Sequence, residues 1–157
     1  KWTETFSTQF YYYYIGQYTS MSWKVSNNSD VPVGYIIGTK YEGDDCKRCQ
    51  IVAVTVCEEF RRLGLASYLI RFFENVADVF YQALCTGLYV RLENFNAQTL
   101  YSKLGYTEYR RIQNYYSSIG EDGIELRRPL PRDTEGKSCV TERKYITIQE
   151  LRESERG

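Results

Sequence analysis

The sequence predicts one α/β domain built on a mixed central sheet. Three observations predict it. The run "QIVAVTVC", Gln50 to Cys57, is continuously apolar and β-branched, as in a strand buried on both faces. After it, Leu65, Leu69, Phe72, Val76 and Phe80 recur at helical spacing and form one apolar face over about four turns. Around this pair the segments run strands, helix, strand, helix, strands. At 157 residues the chain is long enough for one core, burying roughly 70% of its unfolded surface. With no internal repeat or linker, residues 1–130 are expected to form the domain and 131–157 a polar tail.

In order, Trp2–Tyr18 contains a short helix. "SWKVS", Ser22 to Ser26, alternates as a strand does, and "NNSD" turns the chain. "VPVGYIIG", Val31 to Gly38, is a second strand, followed by a turn at "YEGDD". The buried strand and the long helix come next. "GLYVRLE", Gly87 to Glu93, reads as a strand, and "NAQTLYSKLG", Asn96 to Gly105, as a short helix with an Asn near its start and a Gly where helices stop. Tyr106–Ser117 and Gly123–Leu130 are strands about a turn at "IGEDG". "ERKYITIQELRE" forms one more helix in the tail.

Composition excludes several classes. Lys+Arg and Asp+Glu both total 20, so neither a general nucleic-acid binder nor a membrane-surface binder is expected. No apolar run approaches the ~20 residues that span a bilayer, and no signal peptide is visible. Five scattered cysteines do not make a disulfide framework, and "CKRC" has neither a second pair nor any histidine to complete a zinc site. Free thiols in a reducing cytoplasm and no metal are expected. The tyrosine-rich stretch "FYYYYIGQY" reads as a packed amphipathic segment with its phenols at water.

The turn "RRLGLA", Arg61 to Ala66, follows the buried strand and opens the long helix. Two arginines there oppose the positive end of the helix dipole. They make sense if a ligand supplies the negative charge: the first helical N–H groups lack partners and favour phosphate, and Gly64 lets a ligand approach the backbone. Neither G-x-x-x-x-G-K-[ST] nor G-x-G-x-x-G occurs, so the ligand is neither a nucleoside triphosphate in a P-loop nor a Rossmann dinucleotide.

Arg61-Arg62-Leu63-Gly64-Leu65-Ala66 resembles the R/Q-x-x-G-x-G/A acetyl-CoA loop of the GNAT acetyltransferases. Asn94, Ala97, Leu100, Tyr101, Leu104, Gly105 and Tyr106 resemble that family's second signature. "WTETFSTQFYYYY", Gly34 to Lys40, Tyr115 to Ser117 and Arg132 to Ser138 further resemble the catalytic subunits of NatB-type amino-terminal acetyltransferases. The resemblance implies the GNAT fold, without the family's first strand since the chain begins at Lys1. It implies acetyl transfer to the α-amine of nascent chains starting Met-Asp, Met-Glu, Met-Asn or Met-Gln, with an auxiliary subunit and the ribosome as partners. By position, Arg61 to Ala66 hold the pyrophosphate of acetyl-CoA, the backbone of Val54 and Val56 flanks the pantetheine arm, Asn94 contacts the cosubstrate and Tyr101 lies at its sulfur. Glu4, Phe6, Gln50, Tyr115 and Tyr116 border the peptide, and both tyrosines are catalytic candidates.

Three positions depart from the family pattern: Gln50 replaces a His, Val52 a Thr and Phe6 a Tyr. The chain has no His at all. An α-amine, with a pKa of about 7.7–8.0, is roughly a tenth neutral at pH 7, whereas a lysine amine is neutral well under about 0.1% of the time. A site without histidine therefore suits α-amines better than lysines. A GNAT enzyme acting on lysine or small amines, and a cosubstrate-binding docking subunit of weak activity, are the competing readings.

Overall fold

The β-branched run becomes the third strand of a seven-stranded sheet in the computed structural model, which describes residues 6–42 and 46–156. The strands are β1 (Ser22–Ser26), β2 (Pro32–Glu42), β3 (Lys47–Val56), β4 (Cys85–Arg91), β5 (Thr107–Tyr116), β6 (Glu121–Pro129) and β7 (Tyr145–Thr147). The helices are α1 (Thr8–Gln17), α2 (Leu65–Val79), α3 (Phe95–Lys103) and α4 (Ile148–Arg156). Spatial order is β1-β2-β3-β4-β6-β5-β7. Pairs β3–β4 and β5–β7 are parallel and the rest antiparallel, so the sheet is mixed as expected. The parallel β3–β4 pair follows from its connection, because a helix crossover returns the chain in the same direction.

Helix α2 covers one face. Its Leu69, Ile70 and Phe73 pack with Ile36, Ile51 and Leu88 from the sheet. Phe73 lies so close to β2 that a Cβ on Gly38 would sit 2.1 Å from its ring, so only glycine fits there. The opposite face buries charge. Glu125 on β6 accepts from Arg110 Nε and Arg127 Nε, both at 2.7 Å, and is fully buried.

The segment after residue 130 departs from the sequence expectation. β7 adds to the sheet edge beside β5, and α4 follows it. Ile146 and Leu151 are buried against Ile112 in a second small core. The expected terminal helix therefore starts later than "ERKY", and a strand precedes it. Only three residues pair, too few for alternation to register in the sequence. Helix α1 is capped by Ser7, whose Oγ accepts from Phe10 N at 3.2 Å, and buries no residue fully. No helix among the described residues is long and apolar enough to cross a membrane.

Candidate active site

Strands β3 and β4 pair only from Arg48–Cys85 to Ile51–Leu88. Beyond that both continue, β3 to Val56 and β4 to Arg91, with no further pair between them. A register shift on the other side explains the divergence: Ile37 faces Ala53 while Gly38 faces Ile51, which leaves Val52 as the extra residue of a bulge. A bulge bends its strand and raises its twist. A cavity of about 620 Å³ opens in the gap. Val52, Val54 and Thr55 line it from β3, and Tyr89 and Arg91 from β4. Backbone groups of β3 along this stretch have β2 on one side only.

The turn before α2 has the character expected for an anion site. Gly64 is the N-cap with φ +81, and no side chain caps this helix. No acidic residue occupies its first turn, so the four N-terminal N–H groups are not satisfied by a carboxylate. Arg62 also takes a left-handed conformation, φ +66, which is uncommon for a non-glycine residue. A Cβ on Gly64 would meet nothing within 4 Å, so the backbone angle, not crowding within the protein, demands glycine. Arg61 turns back, and its Nε donates to Val56 O at 3.1 Å, tying the loop to the end of β3. Ala66 lines the cavity; Leu63 is exposed. Leu65 opens the helix beside Ala66, and neither it nor Val56 reaches the cavity wall.

Helix α3 supplies two more wall residues. Asn94 caps it, with Oδ1 accepting from Ala97 N at 3.2 Å, and also lines the cavity. Tyr101 lines it too, packed edge-on against Tyr106. Burial pushes the Tyr101 phenol up to about 12. It therefore stays protonated through the neutral range. Tyr106 is itself fixed by a 3.0 Å hydrogen bond with Thr86.

The residues expected at the peptide side separate. Phe6 and Tyr116 line the cavity. Tyr115 does not; its ring packs tilted against that of Tyr89, with centroids 4.7 Å apart. Glu4 lies outside the described residues. Gln50 is 2% exposed and not on the cavity wall; it lies beneath the sheet, where its Oε1 accepts from Arg48 Nε at 3.2 Å. Strand alternation puts Gln50 with Arg48 on the face turned from α2.

That face holds residues the sequence did not single out. Arg48 Nη2 and Tyr89 Oη both donate to Glu155 Oε1, at 3.0 and 2.8 Å. The contact joins positions 107 apart in sequence, which no motif connects. Among the described residues no group of three or more acidic or cysteine side chains is placed to hold a metal ion. Cys46 and Cys85 lie 3.9 Å apart as thiols.

Comparison with known proteins places this geometry. The acetyltransferase (GNAT) family profile matches residues 1–106. The chain is 38% identical over 150 residues to the N-terminal acetyltransferase B complex catalytic subunit NAA20 of Arabidopsis thaliana, covering 95% of this chain and 85% of that one. Among solved structures it is similar to Chaetomium thermophilum Naa20 in complex with a bisubstrate analogue, at a TM-score of 0.84, 28% identity, and coverage of 95% and 87%. It is also similar to a chain of the NatB acetyltransferase complex bound to CoA and MES, at a TM-score of 0.73, 32% identity, and coverage of 83% and 86%. The chain thus belongs to the GNAT acetyltransferase family, on its branch of NatB-type N-terminal acetyltransferase catalytic subunits.

Proposed function

We propose that the chain moves the acetyl group of acetyl-CoA to the α-amine of nascent proteins that begin Met-Asp, Met-Glu, Met-Asn or Met-Gln. The observation that carries this reading is the unpaired length of β3 that lines a cavity and leads to an uncapped helix start. A pantetheine arm presents amides to such a free strand edge, and a pyrophosphate suits N–H groups that no side chain satisfies. The residues present therefore fit acetyl-CoA, which supplies the acyl group and the thiol that leaves.

Arg62, Gly64 and the first N–H groups of α2 hold the pyrophosphate in this reading. Arg61 fixes the loop through Val56 O and adds positive charge. The backbone about Val54 orients the pantetheine arm. Tyr101 keeps its proton at Oη, poised to stabilise the departing sulfur. Phe6 and Tyr116 border the peptide, and Tyr115 supports that wall through Tyr89. With no histidine in the chain, a water takes the amine proton. The demand on it is small, because an α-amine near pKa 8 already supplies a useful neutral fraction. A NatB-type auxiliary subunit, docking at the ribosome, brings the nascent chain to the cavity in the cytoplasm.

The test is a peptide panel. With acetyl-CoA and the auxiliary subunit, peptides starting Met-Asp, Met-Glu, Met-Asn and Met-Gln should react, and Met-Leu and Ser-Glu starts should not. Equal rates across the panel would remove the NatB assignment.

A further inference from the structure

Resting on that acetyl-transfer reading, we infer that Arg48 reads the acidic second residue of the substrate, and that the chain's own Glu155 holds its place until the peptide arrives. The need for such a reader comes from the sequence. At the position where the family resemblance implies a peptide contact the chain carries Gln50, a neutral amide, and neither Gln50 nor Arg48 is on the cavity wall itself. An acidic start then requires another cation. Arg48, on the same face of β3 and two residues away, is that cation.

Its surroundings resemble a carboxylate receptor already filled. One oxygen of Glu155 accepts from both Arg48 Nη2 and Tyr89 Oη. Tyr89 is also a wall residue of the cavity, so the carboxylate stands one side chain from the transfer site. Arg48 is braced for the task. Gln50 Oε1 accepts from its Nε, and its guanidinium lies over the Tyr41 ring, 4.7 Å from the centroid. A planar guanidinium held this way matches a carboxylate better than a lysine would. Beside it, Gln50 Nε2 is buried with no partner among the described residues, a donor that the protein's own groups leave unused. Burial first, with the Glu155 charge contributing, raises the phenols of Tyr41, Tyr89 and Tyr115 from three different strands. In the geometry, the Tyr89 phenol touches that carboxylate and the Tyr41 ring lies under its Arg48 partner.

Glu155 is suited to leave. It lies one residue from the end of α4, and its side chain keeps 22% exposure against 10% for Arg48. Swinging outward returns its charge to water, while Arg48 stays under cover and needs a new anion. A substrate Asp or Glu provides one. An Asn or Gln provides only an amide oxygen, without the charge assistance that roughly doubles hydrogen-bond strength.

The experiment measures kcat/KM for matched Met-Asp and Met-Asn peptides with the full chain, its Glu155→Gln variant, and the double variant Arg48→Met with Glu155→Gln. The double change avoids stranding a buried charge. Glu155→Gln should raise the Met-Asp to Met-Asn ratio, mainly by lowering KM for Met-Asp. The double variant should drop the ratio about tenfold or more below that of the unaltered chain, the loss typical of a charged hydrogen bond. A ratio unmoved by Glu155→Gln, or kept within about twofold by a folded double variant, overturns the inference. If the double variant does not fold, the Glu155→Gln arm decides alone. Failure of the unaltered chain to acetylate any of these peptides would instead remove the acetyl-transfer reading, so the two failures are distinct.

Discussion

In the proposed function, Gly64 is the residue on which cosubstrate binding turns. Its φ of +81 starts α2 with the N–H groups uncapped, and a β-branched residue there is strained by roughly 1–2 kcal/mol. Gly64→Val should therefore weaken acetyl-CoA binding about tenfold or more while the fold, followed by circular dichroism, is retained; calorimetric titration checks it. Unchanged affinity would remove the loop from the site. Tyr101 tests the chemistry instead. Tyr101→Phe should lower kcat by about 10²–10⁴-fold with KM for acetyl-CoA largely intact, as loss of a general acid does. Because burial holds its phenol near 12, Tyr101 adds no falling limb to the pH–rate profile in the neutral range. The rising limb should follow the substrate α-amine, near pH 8. These residues were legible because both signatures are local, each set on one turn or helix. Tyr115 and Tyr116 were not separable by sequence. Asn114, with φ +51, sits at an irregularity in β5 that decides which of the two reaches the cavity.

At the scale of elements, the two faces of the sheet differ in how readable they were. Of the apolar face expected on α2, Leu69 and Val76 are buried but Phe72 and Phe80 are exposed, and Ile70, Phe73 and Ala77 complete the buried stripe instead; the helix itself ends within a residue of its expected limit. The other face buries an ion cluster whose partners come from separate strands, so no short pattern announces it. Glu125 there is flanked by Arg110 and Arg127. Burial alone would raise its pKa, but the charges of Arg127, Arg48 and Arg110 outweigh it and lower the value. A lowered carboxylate contributes stability above its unfolded pKa, about 4.3, and loses it as pH falls through the folded value. Glu125→Gln should cost about 3–5 kcal/mol at neutral pH, because it leaves two buried arginines undercompensated. Urea unfolding measures this, and the gap between variant and parent should narrow in acid. A loss below about 1 kcal/mol would mean the arginines find other partners.

For the whole molecule, the strand order and the gap between β3 and β4 open one continuous cavity, which the proposed function assigns to acyl donor and amine. The sequence predicted the strands of that gap but not the gap itself, because a one-residue bulge at Val52 leaves the apolar run unbroken. Nor did it predict that residues beyond 130 complete the sheet. Leu151, 4% exposed on α4, ties that segment to Ile112 and Ile146. Leu151→Ala should destabilise by about 2–5 kcal/mol, read as a lower Tm, with acetyl-CoA affinity little changed; a Tm equal to that of the parent would show α4 to be dispensable. The central claim is that this cavity acetylates α-amines and not lysines. The direct measurement is mass spectrometry of a Met-Asp peptide that also carries an internal lysine, after incubation with the protein and acetyl-CoA. Acetyl on the terminal methionine nitrogen, with the lysine unmodified, is the predicted result. Acetyl on the lysine, with a free terminus, would contradict it.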